Sequence, residues 1–314
     1  MTVLALAGGV GGAKLANGLA AVLPPGQLTV AVNTGDDFEH MGLSISPDID
    51  TVLYTLAGIN NRELGWGQQD ESWAFMDAVA KLGGEAWFRL GDRDLATHVL
   101  RSQRLRAGET LSAVTADFAA RLGIRQAIVP MSDNPVRSMV DTDEGELPFQ
   151  DYFVRRQCQP RFRSIRFDGV EAARPGAGLV AALDDPALEA IILCPSNPLL
   201  SIAPILALPG IADRLAARTV PCIAVSPFIA GKAVKGPAAK IMEELGLPTT
   251  PSAIADHYGT LLDGLIIDTA DADLMPTGLE VLTVPTLMRD DADQARLASE
   301  VLAMARRIGA RRAR

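Results

Sequence analysis

The stretch "TVLALAGGVGGAKLANGLAAVLPPGQLTVAVN" (residues 2–33) decides the fold. "TVLALAGG" (2–9) is a short, continuously apolar run closed by glycines, the pattern of a buried strand. "AKLANGLAAVL" (13–23) carries helical apolar spacing and is stopped by Pro24 and Pro25. "QLTVAVN" (27–33) is a second apolar run, rich in β-branched residues. Strand, glycine turn, helix, strand is a βαβ opening and predicts a mostly parallel sheet with helices on both faces, an α/β Rossmann-like core. Further along, "QAIVPMSDNP", "EAIILCPSNP", "TVPCIAVSP" and "LDGLIIDTA" repeat one design, an apolar run followed by a polar loop, marked in three of them by proline. They read as parallel strands whose C-terminal ends carry loops of similar chemistry, and ligands bind at that edge of open α/β sheets.

Residues 60–125 read as a largely helical insertion, with a strand-like "AWFRLG" (86–91) inside it. "FVRRQCQPRFRSIRF" (153–167) is locally basic and reads as a surface strand pair. "DDADQARLASEVLAMARRIG" (290–309) is an amphipathic helix with Leu297, Val301 and Ile308 on its stripe, and the basic "ARRAR" after it reads as a frayed, solvated end. No repeat or low-complexity linker interrupts the chain, so residues 1–314 are expected to form one domain.

Composition bounds the function. The 314 residues are 48% hydrophobic, enough for a real core, and the net charge of −9 argues against a nucleic-acid partner. Phosphate would have to be bound locally, by loop amides, a few cations or a metal. Cys158, Cys194 and Cys222 are far apart and form no CxxC pair, which fits reduced thiols. With no signal-peptide pattern and no window apolar enough to span a bilayer, a cytoplasmic location without membrane contact is expected.

"GGVGGAKL" (8–15) suits close backbone approach to phosphate, yet it fails both common fingerprints. Ala13 separates the last glycine from Lys14, Leu15 stands where a Walker loop has Ser or Thr, and Lys14 occupies the third glycine position of a dinucleotide loop. The second strand ends in Asn33, not in the acid that would hold a ribose. "GDDFEHMGLSISPDIDT" (35–51) gathers Asp36, Asp37, Glu39, Asp48 and Asp50 where that strand ends. "SPDIDTVLYTLAG" (46–58) reads as a helix with Ser46 as N-cap, Pro47 in the first turn, a stripe of Ile49, Val52, Leu53 and Leu56, and Gly58 as the stop. Its two early acids also have a plain reading, as complements to the helix dipole. One carboxylate from Asp36 and one from this helix would grip a magnesium ion. Asp48 and Asp50 are about 200° apart on the helix, so one ion takes only one of them.

In "RLGDRDLATH" (89–98), Arg89, Asp92, Arg93 and Asp94 alternate in charge, which a structural ion lattice would also explain; as a strand, the segment would put Arg89 on the face of Trp87. "PMSDNP" and "PSNP" place hydroxyls and amides after strands. "SPFIAGKAVKGPAAK" (226–240) sets lysines in a glycine-containing loop. His40, His98 and His257 show no metal spacing, and no covalent nucleophile motif is present.

Taken in order, "GGVGGAKL", "NTGDD", "SPDIDTVLYTLAG", "LGDRDLATH", "PMSDNPV", "FQDYFV", "PSNPLLSI" and "VSPFIAGKAVKGPAAK" resemble the 2-phospho-L-lactate transferase family of coenzyme F-420 biosynthesis, over most of the chain. The resemblance implies a magnesium-dependent, homodimeric enzyme. It would transfer a phospholactyl, phosphoenolpyruvyl or related group from a guanosine diphosphate adduct of a three-carbon acid to the deazaflavin Fo, with GMP leaving. It implies magnesium at Asp36 and Asp50. Fo would meet Asp50, Arg89 and Arg93, with Asp50 also a catalytic base if the metal leaves it free. The donor would meet Gly9, Gly11, Gly12, Lys14, Ser196, Asn197, Ser226 and Lys232. The alternative is a nucleotide-sugar-binding regulatory protein of the gluconeogenesis-factor type. A Rossmann oxidoreductase is disfavoured by the failed fingerprint.

Overall fold

In the computed structural model, which describes residues 1–234 and 236–312, β1 (Thr2–Ala7), α1 (Gly9–Val22) and β2 (Leu28–Val32) form the expected βαβ unit. β1 alternates between the two faces of its sheet: Val3, Ala5 and Ala7 join one core layer, and Leu4 and Leu6 the other. The glycines are not a free loop, because α1 begins at Gly9.

A hairpin that the sequence reading did not anticipate, β3 (Phe38–His40) and β4 (Leu43–Ile45), lies between Asp37 and Ser46. α2 (Pro47–Leu56) follows with the expected bounds. Ser46 occupies the N-cap position but makes no capping bond; its hydroxyl donates to Asp37 Oδ2 at 2.8 Å. Gly58, with φ +71°, lies just past the helix end.

The insertion holds α3 (Ala74–Lys81), α4 (Asp92–Arg106) and α5 (Leu111–Arg121). "AWFRLG" is not a strand. Residues 86–91 run without regular structure, because their rings pack on the hairpin: Phe38 meets Phe88 at 4.8 Å and His40 meets Trp87 at 5.2 Å between ring centroids.

After β5 (Ala127–Pro130), β6 (Arg137–Thr142), β7 (Gly145–Pro148) and β8 (Phe162–Asp168) make an antiparallel sheet in the order β7-β6-β8. The basic stretch is therefore only half strand. Residues 151–155 coil into a π-helical turn, and β8 pairs with β6.

α6 (Ala177–Leu183), β9 (Leu188–Leu193), α7 (Ala203–Leu206), α8 (Ile211–Ala216) and β10 (Cys222–Val225) continue the α/β pattern. The small hairpin of β11 (Phe228–Ile229) and β12 (Lys232–Ala233) precedes α9 (Ala238–Glu244), α10 (Pro251–Tyr258), β13 (Gly264–Ile267), β14 (Glu280–Thr283) and α11 (Asp291–Arg312).

The main sheet has seven strands among the described residues, all parallel, in the order β14-β13-β10-β9-β1-β2-β5. The chain builds outward from β1 on one side and later from β9 on the other. Their boundary is a topological switch point, where a crevice opens beyond the strand ends.

α1 packs between α2 and α11. Gly18 is the close approach: a Cβ there would collide with the Gln294 carbonyl oxygen. The C-terminal end is not frayed at Arg311 and Arg312. Arg311 pairs with Glu280 on β14, and Arg312 pairs with Asp263 and donates to the Val220 carbonyl at 3.1 Å. Residues 313 and 314 lie outside the described residues.

Candidate active site

At the switch point the loop after β1 meets the loop after β9. Ser196 joins them: its hydroxyl donates to the Gly8 carbonyl at 2.8 Å and accepts from the Gly8 amide at 3.2 Å. Gly11 is glycine because a Cβ would strike the Pro195 carbonyl oxygen, and Gly12 because a Cβ would stand 2.5 Å from Ser196 Oγ. Two of the glycines thus serve loop-to-loop packing. Gly9, with φ +64°, has open space where its Cβ would be, and its amide donates to Asp48 Oδ1 at 2.7 Å.

This junction lines part of a cavity of about 750 Å³, a size suited to small-molecule ligands. Gly9, Gly11, Lys14, Asp36, Arg89, Ser196, Asn197 and Ser226 line it, as expected from the sequence. Gly12, Asp50, Arg93 and Lys232 do not. Gly12 is turned into the loop packing, Arg93 is exposed and donates to the Gln69 carbonyl at 3.2 Å, and Lys232 is exposed on β12. Lys235, part of the same expected phosphate loop, lies outside the described residues.

The polar groups here are partly committed. Lys14 Nζ donates to the Met288 carbonyl at 2.7 Å. Asn197 Oδ1 accepts from the Leu199 and Leu200 amides, while its buried Nδ2 has no protein partner. Ser226 Oγ accepts from the Phe228 amide at 3.2 Å.

The same cavity also has an aromatic lining. Trp66, Trp87, Phe88, Phe149 and Phe153 form it, and Phe149 and Phe153 stack with planes 9° apart. Sequence reading used only Trp87 and Phe88 here; the "FQDYF" turn was quoted as a motif without being seen as a wall. Arg89 lies over the Trp73 ring at 4.3 Å, not along Trp87 as strand alternation implied.

Beside the glycine turn the cavity is also lined by a buried carboxylate pair, Asp36 and Asp48. Asp48 Oδ2 accepts from Asn33 Nδ2 at 2.9 Å, and the Asn33 Oδ1 accepts from the Gly35 amide. Asp36 Oδ1 is buried without a partner. Burial, and then the charge of Asp48, push Asp36 well above the usual carboxylate range. Burial pushes Asp48 up to about 6 and Asp37 up to about 7. No ion pair to Asp36 or Asp48 is formed among the described residues.

The expected pairing of Asp36 with Asp50 is not the arrangement the side chains adopt. Asp50 turns to the other side of α2 and takes a two-pronged bond from Arg101 of α4, with Nη1 3.0 Å from Oδ2 and Nη2 on Oδ1. A base role for Asp50 is therefore unsupported, since both oxygens are occupied and the residue lies outside the cavity. The deciding partner is 51 positions away in sequence, beyond the reach of any local pattern.

A parallel sheet with a strand-end crevice at its switch point, carrying loop amides, a buried acid pair and an aromatic wall, defines a Rossmann-like α/β protein with a built small-molecule site. The chain belongs to the 2-phospho-L-lactate transferase family, whose model (2-phospho-L-lactate transferase CofD) matches residues 3–301. It is 39% identical to a phosphoenolpyruvate transferase of Streptomyces griseus, over 99% of this chain and 100% of that one. Over 95% of each chain it is 40% identical to a 2-phospho-L-lactate transferase of Methanopyrus kandleri. A crystal structure of a UPF0052 family member from Bacillus halodurans superposes with a TM-score of 0.63 at 12% identity, covering 96% of this chain and 98% of that one, a likeness of fold alone.

Proposed function

We propose that the protein transfers a phospholactyl or phosphoenolpyruvyl group from a guanosine diphosphate adduct to the deazaflavin Fo in coenzyme F-420 biosynthesis, releasing GMP. The observation that carries this reading is one cavity lined together by the glycine turn, the Ser196–Asn197 loop, a set of aromatic rings and a buried acid pair. The donor diphosphate would lie against Gly9 and the Asn197 Nδ2, and the planar deazaflavin against Trp87, Phe88 and Phe153. The terminal ribityl oxygen of Fo forms the new bond to the phosphorus that bears the acid. The bond from that phosphorus to the GMP oxygen breaks, and the hydroxyl proton passes to solvent.

Magnesium fits the acid pair. Two buried carboxylates, one with an orphaned oxygen and neither in an ion pair among the described residues, face the cavity, and hard oxygen ligands suit the ion. Asp36 and Asp48 would hold it. When bound it neutralises charge on the diphosphate. The protein's own part is positioning: Asn33 fixes Asp48, and the aromatic rings orient the acceptor.

The test is turnover with Fo, magnesium and either guanylylated 2-phospholactate or guanylylated phosphoenolpyruvate, following the product by mass and GMP by chromatography. A phospho-acid ester of Fo that disappears with chelator is the expected result. No product with either donor, together with tight binding of a UDP-sugar, would favour the regulatory alternative, which rests on a likeness of the glycine loop.

A further inference from the structure

The first turn of α2 carries two acids on opposite flanks, and the fold must select which one faces Asp36. The selection is made from outside the cavity. Arg101, 1% exposed, enters from α4 and grips both oxygens of Asp50. Around it, His98 Nδ1 lies 3.7 Å from Asp50 Oδ2, His98 Nε2 lies 3.2 Å from Asp94 Oδ2, and the Tyr54 hydroxyl donates to Asp94 Oδ1 at 2.5 Å. Asp50, Asp94 and His98 each offer a ligand-type atom within 4.8 Å of the others. This set would suit a divalent ion if Asp50 were not already held by a guanidinium.

We propose that Arg101 is a positioning residue: its built-in cation ties Asp50 to the insertion, fixes the rotation of α2 that leaves Asp48 facing Asp36, and keeps the acid set of Asp50, Asp94 and His98 from taking the ion. The proposal rests on the reading that Asp36 and Asp48 hold magnesium. Rotating α2 to present Asp50 instead would strand a buried arginine without its partner, and unpaired buried charge is strongly disfavoured. Arg101 touches no substrate in this reading; it acts through Asp50 and α2.

Mn2+ serves as the probe, with free ion counted by electron paramagnetic resonance and folding checked by circular dichroism. The unaltered protein is expected to bind one Mn2+. Asp48→Asn, which removes a ligand, should weaken that site tenfold or more, whereas Asp50→Asn, which removes only the tie to Arg101, should weaken it measurably but clearly less. Arg101→Leu should bind a second Mn2+, and the double variant Arg101→Leu, Asp50→Asn should lose it. Arg101→Lys, which keeps the charge, should return to one ion. Should Arg101→Leu fail to fold, the comparison of Asp50→Asn with Asp48→Asn decides alone. Loss of Mn2+ in Asp50→Asn as severe as in Asp48→Asn overturns the proposal and leaves the proposed reaction standing. So does a folded Arg101→Leu that binds no second ion. An unaltered protein that binds no Mn2+ removes the metal reading and the proposal together.

Discussion

Asp36 is buried, forms no ion pair among the described residues and has an orphaned oxygen, so its charge is a cost to the fold that a ligand can offset. Asp36→Asn should lower turnover by about a hundredfold or more if a metal-bound carboxylate is lost. The same variant should melt at or above the unaltered protein in chelator at pH 7.5, because the desolvated charge is gone. A melting point well below it would make Asp36 a structural residue instead. Elsewhere in the cavity lining, Arg89 is exposed and lies over Trp73. Arg89→Ala should weaken Fo by about 1–3 kcal/mol with little change in the maximal rate, if its fork donates to the ring carbonyls. Fluorescence titration of Fo checks this, and an unchanged affinity removes Arg89 from the site. Gly11 carries a different expectation from the one its place in a glycine turn invites. A side chain there meets the Pro195 carbonyl, so Gly11→Ala should lower the melting temperature and weaken donor and acceptor alike.

At the scale of elements, the segment from the end of β2 to the first turn of α2 concentrates raised carboxyls. Asp48 at about 6 and Asp37 at about 7 bind protons in the folded chain that the unfolded chain, with ordinary values near 4, has already released. Between about pH 4 and pH 7 the folded state therefore holds more protons, and these groups make stability fall as pH rises. Metal-free protein should melt higher at pH 5.5 than at pH 7.5, and magnesium should raise the melting point more at the higher pH. Calorimetry in chelator and in magnesium reads both. A metal-free melting point that climbs with pH across this window would show that other groups dominate.

The same segment shows what was legible. The bounds of α2 follow from Pro47, the apolar stripe and Gly58, all local signals. The hairpin of β3 and β4 was invisible because three-residue strands leave no period to count. "AWFRLG" was misread because its aromatics are spaced like a strand but are held by rings of the hairpin. The choice between Asp48 and Asp50 depends on Arg101, and no helical wheel contains a residue from another helix.

Across the whole molecule, the strand order places two loops from distant parts of the chain, after β1 and after β9, at one crevice, with the insertion and the β6–β8 sheet supplying the aromatic wall. Six of the seven core strands were readable as apolar runs closed by glycine or polar loops, and β14 was not; nor was the aromatic wall, because Trp66, Trp87 and Phe88 meet Phe149 and Phe153 from a distant part of the chain. The proposed reaction needs both ligands side by side in the cavity of about 750 Å³. GDP should therefore leave the Kd of Fo unchanged or tightened in a titration, and mutual competition would sink that reading.

The packing of Gly18 against Gln294 also sets an order of events during synthesis. The apolar flank of α1, made first, is covered by α11, made last. A ribosome that has delivered β1, α1 and β2 has therefore delivered an unfinished layer, with the Asn17 and Gly18 face of α1 waiting for Gln294 and the helix that carries it. Contacts of such long sequence separation form slowly and leave intermediates prone to clumping. A chain halted at residue 290 should bind a hydrophobic dye and pellet, whereas supplying residues 291–312 as a separate peptide should rescue part of it into the supernatant.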